Sequence, residues 1–369
     1  MARELARRGH SVTLLTGYPR QRLDSELRPL AQTLPYLPTL ELALVRAGLT
    51  RLSKRLSRLS VTTHDRWTAR VLPPADALIA LSQTAWATFL AAQRRGVRTI
   101  LERGSAHIVT QRAILSAEYA RQGLPAARTS VPAWAVRREL AEYALADRVV
   151  TLSAFARQTF LDQGVAAGKV VVNPLGVDLA RFTPTGRMPR PNNAPLRVIY
   201  AGAVSLRKGI PDLLEGLCGQ PGIDLVLVGG IDAEMRPIVR RYGGQFTHIP
   251  NVSQAALVDH YRAADVFAIA SLEDGFGMVV PQAMACGLPV IGTANTGAVG
   301  MLIEDGREGF IVPIRDPLAL RARAVYLRDH AEERRAMGAA GQAKVAGLGG
   351  WVAYGARAEA ILAELIPPR

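Results

Sequence analysis

Short apolar, β-branched runs alternate with helix-length stretches along almost the whole chain, and this alternation narrows the fold more than any other feature. In the first half the runs fall at residues 11–15, 77–81, 98–101, 148–152 and 169–173; in the second, at 197–201, 224–228, 246–249, 266–269 and 289–291. Runs this short, separated by helical stretches such as 84–95 and 132–146, predict parallel sheets covered by helices. Residues 184–195, rich in Pro and Asn, separate the two series and read as a linker. The expected architecture is α/β with two domains, 1–183 and 196–345, followed by an amphipathic helical segment within 346–369. An open α/β domain ordinarily begins with a buried strand, a glycine turn and a helix. This sequence opens inside a helix over residues 1–8 that Gly9 ends, so the expectation is an N-terminal domain whose first strand and turn are missing.

Composition excludes several classes. At 49% apolar over 369 residues, both domains have material for a core. Two cysteines, Cys218 and Cys286, make no disulfide framework, and six histidines show no metal-ligand spacing, so neither a metal nor a cofactor is expected. No apolar run is long enough to span a bilayer and the start has no signal-peptide core, which predicts a cytoplasmic protein. The net charge of +14 is uneven: residues 1–185 carry 26 Lys and Arg against 13 Asp and Glu, and the remainder 19 against 18. The asymmetry predicts an anionic surface or substrate at the first domain. Nucleic acid is not the expected partner, because no helix-turn-helix, RNA-binding or zinc-finger signature accompanies the charge.

The most chemistry lies between residues 271 and 316. Glu273 and Asp274 directly precede Gly275-Phe276-Gly277, and Gln282 follows eight residues after Asp274. A glycine turn feeding a helix offers unbonded N–H groups to an anion, here those of Phe276, Gly277 and Met278. A carboxylate before the turn can hold sugar hydroxyls, and an amide two turns into the helix can hold a ribose. A second element, Gly202 to Gly209, follows the run at 197–201 and carries Arg207 and Lys208. A guanidinium fork beside an ammonium point charge suits a diphosphate. The sequences G-x-x-x-x-G-K-[ST] and G-x-G-x-x-G are both absent there, which argues against ATP and dinucleotides.

The stretch from Arg46 to Arg70 carries seven bases (Arg46, Arg51, Lys54, Arg55, Arg58, Arg66 and Arg70), with Leu49, Leu52, Leu56 and Leu59 at helical spacing among them. Two readings stay open: a helix lying on an anionic membrane surface, or a helix with leucines in the core and bases in water.

Taken in order, these pieces resemble the retaining sugar-nucleotide glycosyltransferases of family 4, which have the GT-B fold of two Rossmann-like domains, and most of all members that build bacterial exopolysaccharide and lipopolysaccharide. Residues 7–12 look like the family's first helix running into its second strand, and Asn173-Pro174-Leu175-Gly176-Val177-Asp178 like its interdomain segment. The family's Glu–seven residues–Glu pattern falls on Asp274 and Gln282. The resemblance implies a donor sugar at Asp274, a ribose at Gln282, and a diphosphate at Arg207, Lys208 and the 275–278 turn. It further implies a sugar-contacting His107, retention without a metal, and proton uptake by the leaving phosphate. A UDP- or GDP-sugar donor, a glycan or lipid-linked acceptor and a place on the inner membrane face complete the expectation. Ala203 stands where the family usually has Arg, and Gln282 where it has Glu. With the missing first strand, these departures keep two alternatives in view: a donor-binding homologue impaired in transfer, and a GT-B sugar-nucleotide epimerase.

Overall fold

The computed structural model of the chain describes residues 1–47, 49–125, 131–186 and 194–366. Its N-terminal strands are β1 (Leu14–Thr16), β2 (Ala31–Thr33), β3 (Ala77–Leu81), β4 (Arg98–Arg103), β5 (Arg148–Thr151) and β6 (Val170–Val172). Strands β3 to β6 form one parallel sheet in sequential order, whereas β1 and β2 pair only with each other. The run at 11–15 therefore joins a sheet of its own, and its ladder starts late, where the Leu14 N–H donates to the Leu30 carbonyl (2.8 Å). Strand β3 is an edge strand with half-buried residues.

The second domain holds β7 (Leu196–Ala201), β8 (Ile223–Val228), β9 (Phe246–Ile249), β10 (Val266–Ile269), β11 (Val290–Thr293) and β12 (Gly309–Val312). All pair in parallel in the order β12-β11-β10-β7-β8-β9. Strands β10 and β11 are buried at every residue, and up to Thr293, whose hydroxyl donates to the Ser271 carbonyl (2.6 Å), their sequences show no apolar–polar alternation. The chain runs outward from β7 through β8 and β9, then returns to the other flank of β7 as β10. Such a reversal leaves a crevice at the carboxyl ends of the two central strands, the usual ligand position in an open α/β sheet.

The last helix, Gly350–Leu365, leaves the second domain and packs on the first. Ala358, Ile361 and Leu362 form a core with Leu5, Ile100 and Val150. Polar contacts fix its register: Tyr354 donates to Glu102 (2.7 Å), and Arg357 donates to Asn173 (3.0 Å) and to the Pro174 carbonyl (2.8 Å). Of the expected linker, residues 187–193 lie outside the described residues.

The basic stretch divides into two helices, Tyr36–Arg46 and Thr50–Val71. Leu49, Leu52 and Leu59 are 53%, 51% and 56% exposed and Leu56 is half-buried, so the stripe does not lie wholly in the core. The side chains of Arg46, Arg51, Lys54 and Arg55 lie outside the described ones.

Candidate active site

The two sequence elements singled out above are neighbours in space. The 202–209 loop leaves β7 and the 270–278 loop leaves β10, and these strands pair directly at the topological reversal. The loops are also bonded to one another, through Leu272 N–H to the Arg207 carbonyl (3.0 Å). Gly209 is left-handed (φ 63°), and a Cβ there would collide with the Ala270 carbonyl oxygen, so the close approach of the loops needs glycine.

Four charges meet in this crevice. Lys208 pairs with Asp274 through Nζ and Oδ2. Arg207 Nε donates to Glu273 Oε2 (3.0 Å), and its Nη2 lies 3.7 Å from Asp274 Oδ1. Burial pulls the Arg207 pKa down, but Glu273 and then Asp274 outweigh it, and the guanidinium is held above its ordinary value. The two cations expected to hold a diphosphate are thus brought together, each already against a carboxylate.

Beside them, Asp274 runs into the turn of Gly275 to Met278 and the short Val279–Ala285 helix. The N–H groups of Phe276, Gly277 and Met278 donate to no acceptor among the described residues. Phe276 and Gly277 are buried, and buried N–H groups without a partner are uncommon. Gln282, two helical turns on, donates to Gln254 Oε1 (3.2 Å), while its own Oε1 is buried with no partner. This turn therefore presents three unbonded donors and one unbonded acceptor beside two cations.

The first domain closes on the same turn. Glu273, wholly buried, accepts from the Ala106 N–H (2.6 Å) and from Gln111 Nε2 (2.8 Å) as well as from Arg207. Ser105 Oγ lies 3.4 Å from Arg207 Nη2. A Cβ on Gly275 would strike the Gly104 carbonyl, and one on Gly297 would strike Ser153 Oγ. From Gln111 a buried polar chain runs inward: Arg103 donates to Gln111 (2.7 Å) and pairs with Glu139 (3.2 Å). Gln83 then bridges Glu139 (2.7 Å) to Glu142 (2.6 Å), and Arg138 links Glu142 to Asp65.

A second ionic joint lies further along the Ile108–Arg121 helix. Glu118, fully buried, accepts from Arg315 of the second domain (2.9 Å), and Arg121 pairs with both Glu118 (3.0 Å) and Asp212 (2.7 Å). Tyr119 donates to Glu234 (2.9 Å). Sequence reasoning passed over Gln111 and Glu118, although a signal existed. They share the stripe Ile108–Gln111–Leu115–Glu118, and polar residues on an apolar stripe need partners outside their own helix.

His107, expected to contact the sugar, is buried at the start of the Ile108–Arg121 helix. It caps the Ile108–Arg121 helix, its Nδ1 accepting from Val109 N–H (3.3 Å). Its ring packs against Tyr143 (5.0 Å between centroids) and edge-on to Phe160 (4.9 Å). Burial, with Arg103 adding to it, pushes its pKa down to about 4, so the ring is neutral near pH 7. Among the described residues, no cluster of three or more His, Cys, Asp or Glu is placed to hold a metal ion.

Two family profiles match the chain and divide it as the sheets do: "Glycosyl transferase 4-like domain" over residues 1–176 and "Glycosyl transferases group 1" over 188–344. Among curated proteins, the chain is 33% identical over 250 residues to a D-inositol 3-phosphate glycosyltransferase of Kineococcus radiotolerans, an alignment covering 59% of this chain and 56% of that protein. The chain thus spans about half the length of the curated relatives it matches. Among solved structures it resembles a glycosyltransferase of Rickettsia africae (TM-score 0.69, 17% identity), covering 100% of this chain and 93% of that one. It also resembles HepE of Anabaena, solved with UDP (TM-score 0.63, 18% identity, 82% of each chain). Both likenesses concern the fold.

Proposed function

This chain belongs to the family 4-like glycosyltransferases of the GT-B fold, and from that premise we propose that it transfers a sugar, with retention, from a UDP- or GDP-sugar to a glycan or lipid-linked acceptor. The observation that carries the donor reading is the set of unbonded N–H groups of Phe276, Gly277 and Met278 beside Arg207 and Lys208 at the β7–β10 reversal. A diphosphate supplies what those groups lack, and it competes with Asp274 for Lys208. Gln282 Oε1 accepts a ribose hydroxyl, and Asp274, once released, is free for hydroxyls of the sugar.

As the glycosidic bond breaks, charge grows on the leaving phosphate oxygen. Fixed cations and oriented N–H groups stabilise that charge more than they stabilise the bound ground state, which is the source of rate. The acceptor hydroxyl enters on the leaving-group face and passes its proton to the phosphate. We assign His107 the task of holding the 104–107 loop, whose Ala106 N–H meets Glu273, instead of touching sugar. Work in cell-surface polysaccharide synthesis at the inner membrane face belongs to the same reading.

The test is a thermal-shift panel of UDP- and GDP-sugars, followed by product analysis with donor alone and with acceptors. Since the curated relatives are named for D-inositol 3-phosphate, that compound joins the acceptor panel. Stabilisation by one nucleotide series and a glycosylated acceptor are expected. No shift with any nucleotide sugar defeats the donor assignment, and an epimerised nucleotide sugar from donor alone replaces transfer with epimerisation.

A further inference from the structure

Hollows on the described surface also lie away from the donor crevice, on the outer face of the first domain. Two adjoining ones, of about 440 and 400 Å³, open between the helices Thr50–Val71, Trp86–Gln93 and Ala133–Leu145 and share Arg66, Ala87 and Leu90. The first is walled by Arg66, Arg70, Arg94 and Arg95, and the second reaches Arg58, Arg137 and the indoles of Trp86 and Trp134. One acid lines them, Asp65, and it is spoken for: it accepts from Ala87 N–H (2.8 Å) and Thr88 N–H (2.9 Å) and pairs with Arg138. Arg58, Arg66, Arg70, Arg94 and Arg137 make no ion pair among the described residues. Five uncompensated guanidinium groups over one groove are a concentrated anion site.

Apolar surface adjoins this charge. Along the Thr50–Val71 helix, Leu52, Leu59 and Arg66 stand seven residues apart and so share one line, apolar toward the start and basic toward the end. The two leucines on that line are exposed, and Trp86 beside the groove is 43% exposed. A phosphodiester headgroup with its acyl chains matches both parts of the surface at once.

We propose that this face docks on an anionic phospholipid bilayer, with Arg66, Arg70 and Arg94 holding headgroup phosphates and Leu52, Leu59 and Trp86 entering the acyl boundary. This gives the membrane association of the preceding section a defined site, and it stands or falls independently of the donor chemistry. Charge complementarity selects the occupant, because the unpaired arginines need phosphates and the leucines and indole beside them need hydrocarbon. The face reaches the donor crevice through the Asp65–Arg138–Glu142–Gln83–Glu139–Arg103–Gln111 chain, whose far end is bonded to Glu273.

The test is flotation of the full chain with vesicles of phosphatidylcholine alone and with about one third phosphatidylglycerol, over a salt series. Binding to the anionic vesicles only, weakening with salt, is expected. Arg66→Glu/Arg70→Glu/Arg94→Glu should lower partitioning by about tenfold or more, and Leu52→Ser/Leu59→Ser should lower it at low salt with the charge intact. Thermal melts and nucleotide-sugar shifts of both variants should match the parent, which separates loss of docking from loss of fold or of the donor site. Equal binding to both vesicle types, no binding to either, or indifference to both variants overturns the proposal. So does abolition of vesicle binding by millimolar inorganic phosphate at constant ionic strength, which would mean a pocket for a free anion. Arginine-dependent binding to duplex DNA without vesicle binding also overturns it.

Discussion

Replacing Glu273 by alanine should loosen the two domains from one another, and the structure fixes the scale of the loss. The carboxylate is wholly buried and receives Ala106 N–H, Gln111 Nε2 and Arg207 Nε at 2.6, 2.8 and 3.0 Å. Deleting it strands a buried backbone donor, a buried amide and most of the neutralising charge of a guanidinium. Breaking a buried pair from one side costs about 3–5 kcal/mol, most of it from the charge left behind. Arg207 retains Asp274 at 3.7 Å and has partial access to solvent, so the lower end, about 3 kcal/mol, is the better expectation. That is a large fraction of the roughly 5–15 kcal/mol that a domain has in total. Glu273→Gln keeps the shape, but its amide must turn an N–H toward one of three donors, and it should recover about half of the loss. The assay is urea unfolding of both variants, joined to a double-mutant cycle with Gln111→Ala, where a coupling of about 1–2 kcal/mol is expected. If Glu273→Ala costs less than about 1 kcal/mol and shows no coupling to Gln111, the domains do not meet through this carboxylate in solution. The reasoning from contact to cohesion then fails.

Other outcomes follow from the same geometry. Lys208→Ala should weaken nucleotide-sugar binding by about 10- to 100-fold, the worth of a charge-assisted bond to a phosphate, as read by calorimetry; unchanged affinity would remove Lys208 from the donor site. Gln282→Ala should cost about fivefold in affinity for the nucleotide sugar and almost nothing for inorganic diphosphate, because only the former brings a ribose. The histidine gives a pH effect. With the folded pKa of His107 lowered to about 4 and the unfolded value near 6.5, the folded state binds fewer protons between those values, so stability is lost as pH falls through that window, by at most about 3 kcal/mol. His107→Asn, which can still cap, should flatten that loss in urea titrations at pH 7 and pH 4.5. Comparison with the parent isolates His107 from Glu142, whose carboxyl burial pushes up to about 7 and which acts in the opposite sense. An unaltered slope in the variant would place the imidazole in solvent.

Much of the fold could be read from the sequence because parallel strands buried on both faces announce themselves as unbroken apolar runs. The run at 266–269 coincides residue for residue with β10, which is buried throughout. β2 escaped because Ala31-Gln32-Thr33 is too short and too polar to stand out. The turn at 275–278 was legible for a local reason, since its donors and the helix after it are consecutive in the chain. What the sequence withheld was pairing at a distance: Arg207 and Lys208 find Glu273 and Asp274 across a separation of 66 residues, and only the adjacency of β7 and β10 brings them together. The capping role of His107 was not legible for another reason, since a histidine that caps a helix inside an aromatic cluster and one that faces a ligand have the same letters around them. The leucines of the Thr50–Val71 helix teach a similar lesson, because periodicity reports that a stripe exists but not which side of it meets water.

The glycines where segments meet carry a mechanical consequence. Gly275 lies against Gly104, Gly297 against Ser153, and Gly176 against the peptide between Gly350 and Trp351, each with no room for a methyl group. At Gly275 and Gly176 the separation is set by the thickness of peptide planes, and neighbouring rotamers have little means of absorbing an added atom. The joint therefore behaves like a shaft machined to a clearance, accepting shims of known size. Alanine, serine and valine at Gly176, which meets the peptide between Gly350 and Trp351 away from the donor turn, would form such a graded set, each holding the interdomain segment and the last helix at a fixed larger gap. A series of that kind would turn domain opening into a length set by the experimenter, against which donor affinity could be plotted point by point.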